Sequence, residues 1–372
     1  MNKLEQKQLT MKAAKIIEAY NAMEVQAVAL GPLDFAAGFD RLMEYGRAAK
    51  FPLLCANLLA KETGQPVFQA SIVVQEHGVK AGVIGVLDSG FSLPKSDPWA
   101  EKVRLAPIHP IVKKLAKRLR DEGCGIVVVL SSLEPKKLRL LAKGTEGVDL
   151  FIGGDPMDKL VLPYGARGSL IACSSQLGKY VGHVALTLDE RGSVAGMKHS
   201  FVAMKPEQRD DPTVRRIVDG YYKAVALLRR NEPAMYVKEA EETVNLQHDN
   251  PVFVSSEECR NCHGAEYRKW KATKHAQALA NLPAAARDNI ECLECHVTGF
   301  GKWGGFSGLR AKPDLSGIQC EECHGPGSSH PATLAMTRGK AVQAVCKRCH
   351  TRSRSPDFDL REYLSRIACR PG

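Results

Sequence analysis

The sequence predicts two unlike domains in its 372 residues: an α/β layered domain, followed by a mostly helical, loop-rich one. Three observations predict this. From residue 11 to 205, short β-branched runs alternate with stretches of helical spacing, the pattern of a layered sheet. From Cys259 to His350 the pentapeptide C-x-x-C-H occurs four times. Between these regions, residues 232–250 form a polar connector. The expected limits are 1–205 for the first domain, 206–245 for a helical linker and 246–372 for the second domain.

Taken in order, residues 11–23 carry Ala13, Ile16, Ile17 and Tyr20 at helical spacing. Residues 25–30 read as an apolar strand that stops at Gly31. A helix is expected over 35–50 and a strand over 52–56. Two β-branched strands, 67–75 and 79–86, flank Gly78. A basic helix over 111–121 precedes the continuous apolar run 125–130, which reads as a fully buried strand. A helix at 135–143, strands at 150–153 and 170–173, and the clean alternation of 180–188 continue the pattern. A last strand falls within 192–204. The helix over 210–230 opens at Asp211-Pro212, and its Arg215-Arg216 and Arg229-Arg230 pairs read as a solvated face. In the second domain, 266–282 and 334–350 are the best helix candidates, and 361–370 is weakly helical.

The four pentapeptides are Cys259-Arg-Asn-Cys262-His263, Cys292-Leu-Glu-Cys295-His296, Cys320-Glu-Glu-Cys323-His324 and Cys346-Lys-Arg-Cys349-His350. This is the attachment signature of c-type haem. Two thiols at this spacing reach the two vinyl groups of one porphyrin as thioethers, and the adjacent His falls under the iron as proximal ligand. The expected cofactors are therefore four covalently bound haem c groups, held by eight thiols (Cys259, Cys262, Cys292, Cys295, Cys320, Cys323, Cys346, Cys349). His263, His296, His324 and His350 are the expected proximal ligands. Paired C-x-x-C units also build structural zinc sites, but those rarely place a His directly after the second Cys of every pair. Four porphyrins would supply most of the apolar surface of this domain, so its folding should require them.

The run over 292–327, CLECHVTGFGKWGGFSGLRAKPDLSGIQCEECHGPG, resembles the core of the tetrahaem cytochrome c-554 family, which takes electrons from hydroxylamine oxidoreductase. The family's CHVxGFG, Gly-Gly-aromatic step, Lys-Pro and G-x-x-C-E-x-CHGPG occur here in the same order. The first haem segment also matches, through Cys259-x-x-Cys262-His263, Trp270 and Thr273-Lys274-His275-Ala276. The resemblance implies His275 as distal ligand of the Cys346/Cys349 haem and His330 as distal ligand of the Cys259/Cys262 haem. The family's third distal His follows its fourth motif, and no His follows His350 here. His248 is either the substitute ligand for the Cys320/Cys323 haem or a linker residue. The family leaves the haem of its second motif five-coordinate, so the Cys292/Cys295 haem inherits an expected open site. Met336 reads as a packing residue rather than an iron ligand.

Residues 11–205 resemble the metallophosphoesterase domain of bacterial 5′-nucleotidases. The matching pieces are AVALGPLDFAAG, AKFPLLCANLL, HGVKAGVIGVLD, GIVVVLSS, VDLFIGGD and GKYVGHVALTLDERG. The sequence departs from that family where the metal chemistry sits. The family's G-N-H-E/D reads Gly31-Pro32-Leu33-Asp34, its Ser-His reads Ser131-Ser132, and its G-G-H-x-H reads Gly153-Gly154-Asp155-Pro156-Met157. Its opening D-x-H strand and later G-D motif have no counterpart. A two-metal hydrolytic site needs His and Asp ligands around both ions. Asp34 and Asp155 stand without their imidazoles and read as turn or N-cap carboxylates. The expectation is a degenerate domain without phosphoesterase activity.

The formal charge of +11 raises the question of nucleic acid, but no basic run with interleaved aromatics occurs and the charge is spread. From Leu246 onward, 18 Lys and Arg stand against 13 Asp and Glu. The propionates of four haems would more than offset that surplus, and cations beside haems suit carboxylate pairing. No nucleic-acid partner is expected. Cys55, Cys124 and Cys173 sit in or beside apolar segments and read as buried, inert thiols; Cys369 has no assignable role. No stretch is apolar enough to cross a bilayer. The opening MNKLEQKQLTMKAAK lacks the apolar core of a secretory signal, although haem attachment in the bacterial families it resembles takes place outside the cytoplasm. The expected location is periplasmic or extracytoplasmic, with a start assigned downstream of the true one. The leading functional expectation is an electron carrier between a redox-protein donor and acceptor. The alternative is a redox enzyme binding nitric oxide, hydroxylamine or a similar small ligand at a five-coordinate haem. A sensory or binding role for the degenerate hydrolase pocket is a third, secondary expectation.

Overall fold

The computed structural model describes residues 3–76, 78–153, 164–166, 168–173, 178, 180–205, 207–231, 251–309, 311–329, 340–351, 354–355 and 357–367. Two compact units emerge, one of Lys12–Arg215 and one joining Met1–Met11 to Arg216–Gly372.

The α/β expectation holds for the Lys12–Arg215 unit. Helix α1 (Lys3–Ala22) is followed by β1 (Val28–Ala29), α2 (Phe39–Ala48), β2 (Leu53–Leu54), β3 (Leu58–Ala60), β4 (Ser71–Glu76), β5 (Val79–Val86) and β6 (Val103–Leu105). Then come α3 (Ile108–Asp121), β7 (Ile126–Ser131), α4 (Pro135–Gly144), β8 (Leu150–Gly153), β9 (Tyr164–Ala166), β10 (Ser169–Cys173), β11 (Tyr180–Leu188) and β12 (Val194–Ala203). The main sheet runs β4-β5-β7-β8-β10-β9. Its inner strands β5, β7, β8 and β10 are parallel, and β4 and β9 are antiparallel edges. Strands β1 and β2 pair in parallel, β3 pairs with β6, and β11 pairs with β12 as a long antiparallel ribbon.

The sheet is parallel because helices carry the chain back between its strands. In α3, Val112, Leu115, Ala116 and Leu119 recur at helical spacing and are buried. In α4, Leu138, Leu141 and Ala142 do the same. These side chains share one apolar cluster with Ile84, Val86, Val127, Val129, Phe151 and Ile171 of the strands. A second cluster gathers Leu30, Phe35, Phe39, Leu42, Cys55, Leu58, Leu87 and Val103. There Phe39 and Trp99 stack with ring centroids 4.5 Å apart.

Two boundaries differ from expectation for local reasons. The helix expected over 35–50 begins at Phe39, because Gly38 sits at φ +92°, outside the helical region. Residues Pro32–Phe35 form a separate 3₁₀ turn, whose Asp34 Oδ2 accepts the Gly31 N–H at 2.7 Å. The strand expected over 67–75 begins at Ser71. Val67 instead donates its N–H to Leu58 O at 2.9 Å and packs, with Phe68, on the second cluster.

The other unit contains most of the 20-residue helix α5 (Pro212–Asn231) and the short helices α6 (Ser256–Cys259), α7 (Gly264–Lys271), α8 (Ile290–His296), α9 (Cys320–His324), α10 (Lys340–Cys349) and α11 (Leu360–Ile367). Its apolar cluster of buried residues is small: Phe253, Leu279, Leu293, Val297, Phe306 and Leu315. The helix expected over 266–282 ends at Lys271, where the Thr273 hydroxyl donates to Trp270 O at 2.7 Å and competes with helix continuation.

Phe151, fully buried between strands and helices, anchors the main cluster. Truncating it as Phe151→Ala should cost about 3–5 kcal/mol, read as a lower denaturant midpoint of the full-length protein at unchanged m-value.

Candidate functional site

The four motifs fall on or beside short helices, and that placement orients them. Residues at i, i+3 and i+4 lie on one helical face, so Cys292, Cys295 and His296 share a face of α8, and Cys320, Cys323 and His324 a face of α9. His350 continues α10 by donating its N–H to Cys346 O at 2.9 Å. His263 links α6 to α7 through the same bond to Cys259 O, also at 2.9 Å. Asn289 caps α8 by accepting the Glu291 N–H at 3.0 Å, and the same oxygen accepts from Gln8 Nε2 at 2.8 Å.

The motifs meet in pairs. The Cys259 thiol lies beside Cys320 and holds that thiol below its ordinary value, and Ser256 Oγ donates to the Cys320 sulfur at 3.1 Å. In the same way Cys349 lies beside Cys295 and holds it below its ordinary value. Motif one thus adjoins motif three, and motif two adjoins motif four. Among the described residues, no group of three or more Cys, His, Asp and Glu is placed to hold a metal ion as a cluster.

A cavity of about 660 Å³ opens at the second of these pairings. His275, His296 and His350 line it, together with Cys295, Cys323, Cys346 and Cys349. The rings of His275 and His350 lie with centroids 6.0 Å apart and planes tilted by 55°. Two metal–imidazole bonds of about 2 Å, plus about 1.1 Å from each nitrogen to its ring centre, span about 6 Å. That separation accommodates one iron between the rings, and the volume lies in the range of about 300–1,000 Å³ typical of ligand sites. The residues present therefore fit a haem bonded to Cys346 and Cys349.

Ring orientation is fixed from behind. His296 Nδ1 lies 2.6 Å from Ala278 O, and His350 Nδ1 lies 2.9 Å from Ser355 Oγ. Each contact leaves Nε2 for a metal, the usual arrangement of a ligating His. Electrostatics favour the neutral, metal-binding form. Burial, then the neighbouring His350, lowers the His275 pKa; burial alone lowers that of His350; burial, then His263, lowers that of His324.

Several residues of this wall escape a reading of the motifs. Phe358 stacks on His350 at 4.6 Å and Tyr363 meets it edge-on at 5.6 Å. Leu360, Tyr363, Leu364 and Ile367 of α11 line the cavity. Their i, i+3, i+4, i+7 spacing was the available signal. The loop after His296 folds tightly: a Cβ on Gly305 would lie 1.8 Å from Gly299 O. His248, His330, Met336 and Cys369 lie outside the described residues.

The hydrolase-like positions of the other unit differ in their surroundings. Asp34 caps its own turn, and Leu33 is 85% exposed. Ser131 Oγ donates to Ile152 O at 3.3 Å, and Ser132 Oγ is buried without a hydrogen-bond partner among the described residues. Asp155 and Met157 lie outside the described residues. Cys55, Cys124 and Cys173 are buried, as expected, and burial pushes Cys55 up to about 11.

Comparison with known proteins agrees with this division. Residues 258–325 match the family Cytochrome c554 and c-prime. Cytochrome c-554 of Nitrosomonas europaea is 35% identical over 99 residues, which cover 22% of this chain and 42% of that protein. The C-terminal match supports a c-type cytochrome with covalently bound haem c. For the N-terminal region, human 5′-nucleotidase is 25% identical over 233 residues, covering 55% of this chain and 39% of that protein. Two solved structures show the same fold. The sulfate thiohydrolase SoxB of Thermus thermophilus has a TM-score of 0.51 at 20% identity, covering 56% of this chain and 39% of its own. A 5′-nucleotidase precursor from the same species has a TM-score of 0.50 at 22% identity, covering 57% and 46%. The N-terminal fold is metallophosphoesterase-like. The chain spans less than half the length of each of these relatives.

Because Gly305 and Gly299 meet backbone to backbone, Gly305→Ala should force the loop open. The expected loss is about 1–3 kcal/mol, measured as a lower melting temperature of the purified holoprotein.

Proposed function

We propose that residues 246–372 form a tetrahaem c-type cytochrome that passes electrons between a redox-protein donor and acceptor outside the cytoplasm. The observation that carries this reading is the opposition of His275 and His350 across a cavity walled by Cys346 and Cys349. A site with two axial imidazoles keeps both iron positions filled, which suits electron passage rather than substrate turnover.

Bound haem supplies one-electron exchange at its iron. The chain's own residues do the rest. Eight thiols anchor the four groups, and His263, His296, His324 and His350 take the proximal positions. His275 and His330 take distal positions on the fourth and first haems, with His248 proposed for the third. Ala278 O and Ser355 Oγ hold their imidazoles in one orientation, so the ligands need little rearrangement as electrons pass. Phe358 and Tyr363 cover His350 and exclude water. Lys274 and Arg354 line the same cavity and offer cations for propionates. With motif one beside motif three and motif two beside motif four, haems held there would be neighbours, an arrangement that suits electron relay. The metallophosphoesterase-like unit is proposed as a scaffold or docking surface for partners. Among the described residues, no helix is long and apolar enough to cross a membrane.

Protein matured in an export-competent host should carry four covalent haems by intact mass and pyridine haemochrome assay; a colourless product at apopeptide mass would overturn the reading. His275→Ala should add a high-spin ferric component from one haem. A high-spin component already present in the unaltered protein, and shifted by nitric oxide, would favour the ligand-binding alternative at the Cys292/Cys295 haem.

A further inference from the structure

Glu322 lies inside the third motif, between Cys320 and Cys323, and takes no part in attachment. Its side chain is only 11% exposed, yet groups from two other segments converge on it. Gly299 donates its N–H to Oε2 at 2.8 Å. Lys302 Nζ lies 3.4 Å from Oε1, and Arg348 Nη2 lies 3.1 Å from the same oxygen. Arg348 Nη2 also donates to the Glu322 carbonyl at 3.0 Å. Gly299 and Lys302 belong to the loop that follows His296, and Arg348 lies between Cys346 and Cys349. One carboxylate thus joins the second, third and fourth attachment segments, and it lines the cavity that holds His275, His296 and His350.

Its neighbour Glu321 has a different task. Only 3% exposed, it accepts backbone N–H groups from Val254 and Ser255, both at 2.8 Å, and from Gly327 at 2.7 Å. Glu321 shapes the chain, whereas Glu322 places a charge among charges at the cavity wall. An exposed ion pair contributes little. A nearly buried carboxylate with a backbone donor and two cations is held in one place, in a medium where its field is weakly screened.

We propose that Glu322 is the positioning residue of this cluster: it registers three attachment segments against one another, and its negative charge lowers the reduction potential of the haems bound in the cavity. The proposal rests on the haem-carrier reading above. Oxidised iron carries one more positive charge than reduced iron, so a nearby anion stabilises the ferric form and a nearby cation destabilises it.

Spectroelectrochemical titration of the full-length holoprotein tests this with two variants whose expected shifts have opposite sign. Glu322→Gln keeps the size and one acceptor of the side chain but removes its charge, and should raise the potential of the cavity haems. Lys302→Gln removes a cation from the same carboxylate and should lower it. A purely mechanical role for Glu322 would not give opposite signs. Unchanged potentials in Glu322→Gln, or shifts of the same sign in both variants, overturn the proposal. Should Glu322→Gln fail to take up haem, Lys302→Gln decides alone, and an absent or upward shift overturns the proposal. A haem-free unaltered protein would instead bring down the carrier reading, and this inference with it, and intact mass distinguishes the two failures.

Discussion

Among its described residues, the C-terminal unit gathers its buried apolar side chains into one small cluster. Its cluster of buried residues comprises Phe253, Leu279, Leu293, Val297, Phe306 and Leu315, while a cavity of about 660 Å³ lies beside the attachment motifs. Native interiors are close-packed, with few voids larger than a water molecule. Lined by thiols and imidazoles of the attachment motifs, that cavity has the residues a covalently attached cofactor needs. Covalent haem c adds to the small cluster, because each porphyrin brings apolar faces of its own. Folding and cofactor attachment then become one thermodynamic event. The short helices follow from the same constraint. With porphyrins as the apolar mass, helices such as α8 and α9 need only be long enough to present two thiols and an imidazole on one face.

The N-terminal unit has an ample core of its own. Its sheet keeps the parallel inner strands and covering helices of its structural relatives, packed around Ile84, Val129 and Phe151. At the positions the resemblance singles out, Asp34 caps a turn and Ser131 bonds to a strand carbonyl, while Ser132 Oγ is buried without a hydrogen-bond partner among the described residues. Fold and chemistry separate here because the apolar pattern that builds the sheet is independent of the few polar residues at its strand ends.

Legibility in the sequence followed the same division. Strands such as 79–86 and 150–153 were readable to the residue, because continuous apolar runs bounded by turns leave few alternatives. Helix starts were less so. The α2 boundary depends on Gly38 at positive φ, and a glycine in an amphipathic stretch does not announce its dihedral angle. The four C-x-x-C-H motifs stand out in the sequence because their spacing is itself the chemical signal. What stands behind them does not. The groups that orient His296 and His350 are a backbone carbonyl and a serine hydroxyl, brought up by loops whose course no local pattern encodes. The aromatic cover from Phe358 and Tyr363 was half-visible. Its helical spacing is plain, but the partner it covers is known only once the chain has folded.

The adjacent carboxylates Glu321 and Glu322 illustrate the limit most sharply. In the sequence they are two identical acids between two cysteines. One turn of α9 points them to different surroundings: Glu321 toward three backbone N–H groups, Glu322 toward Gly299, Lys302 and Arg348. Burial of either charge without partners would be costly, so each position is tolerable only because other segments deliver donors to it. Those donors come from residues 66 to 67 positions earlier for the Val254 and Ser255 contacts of Glu321. For Glu322 they come from the loop after motif two and from inside motif four. The acids therefore act as assembly conditions. The attachment segments can close around the cavity only in the arrangement that satisfies both carboxylates at once.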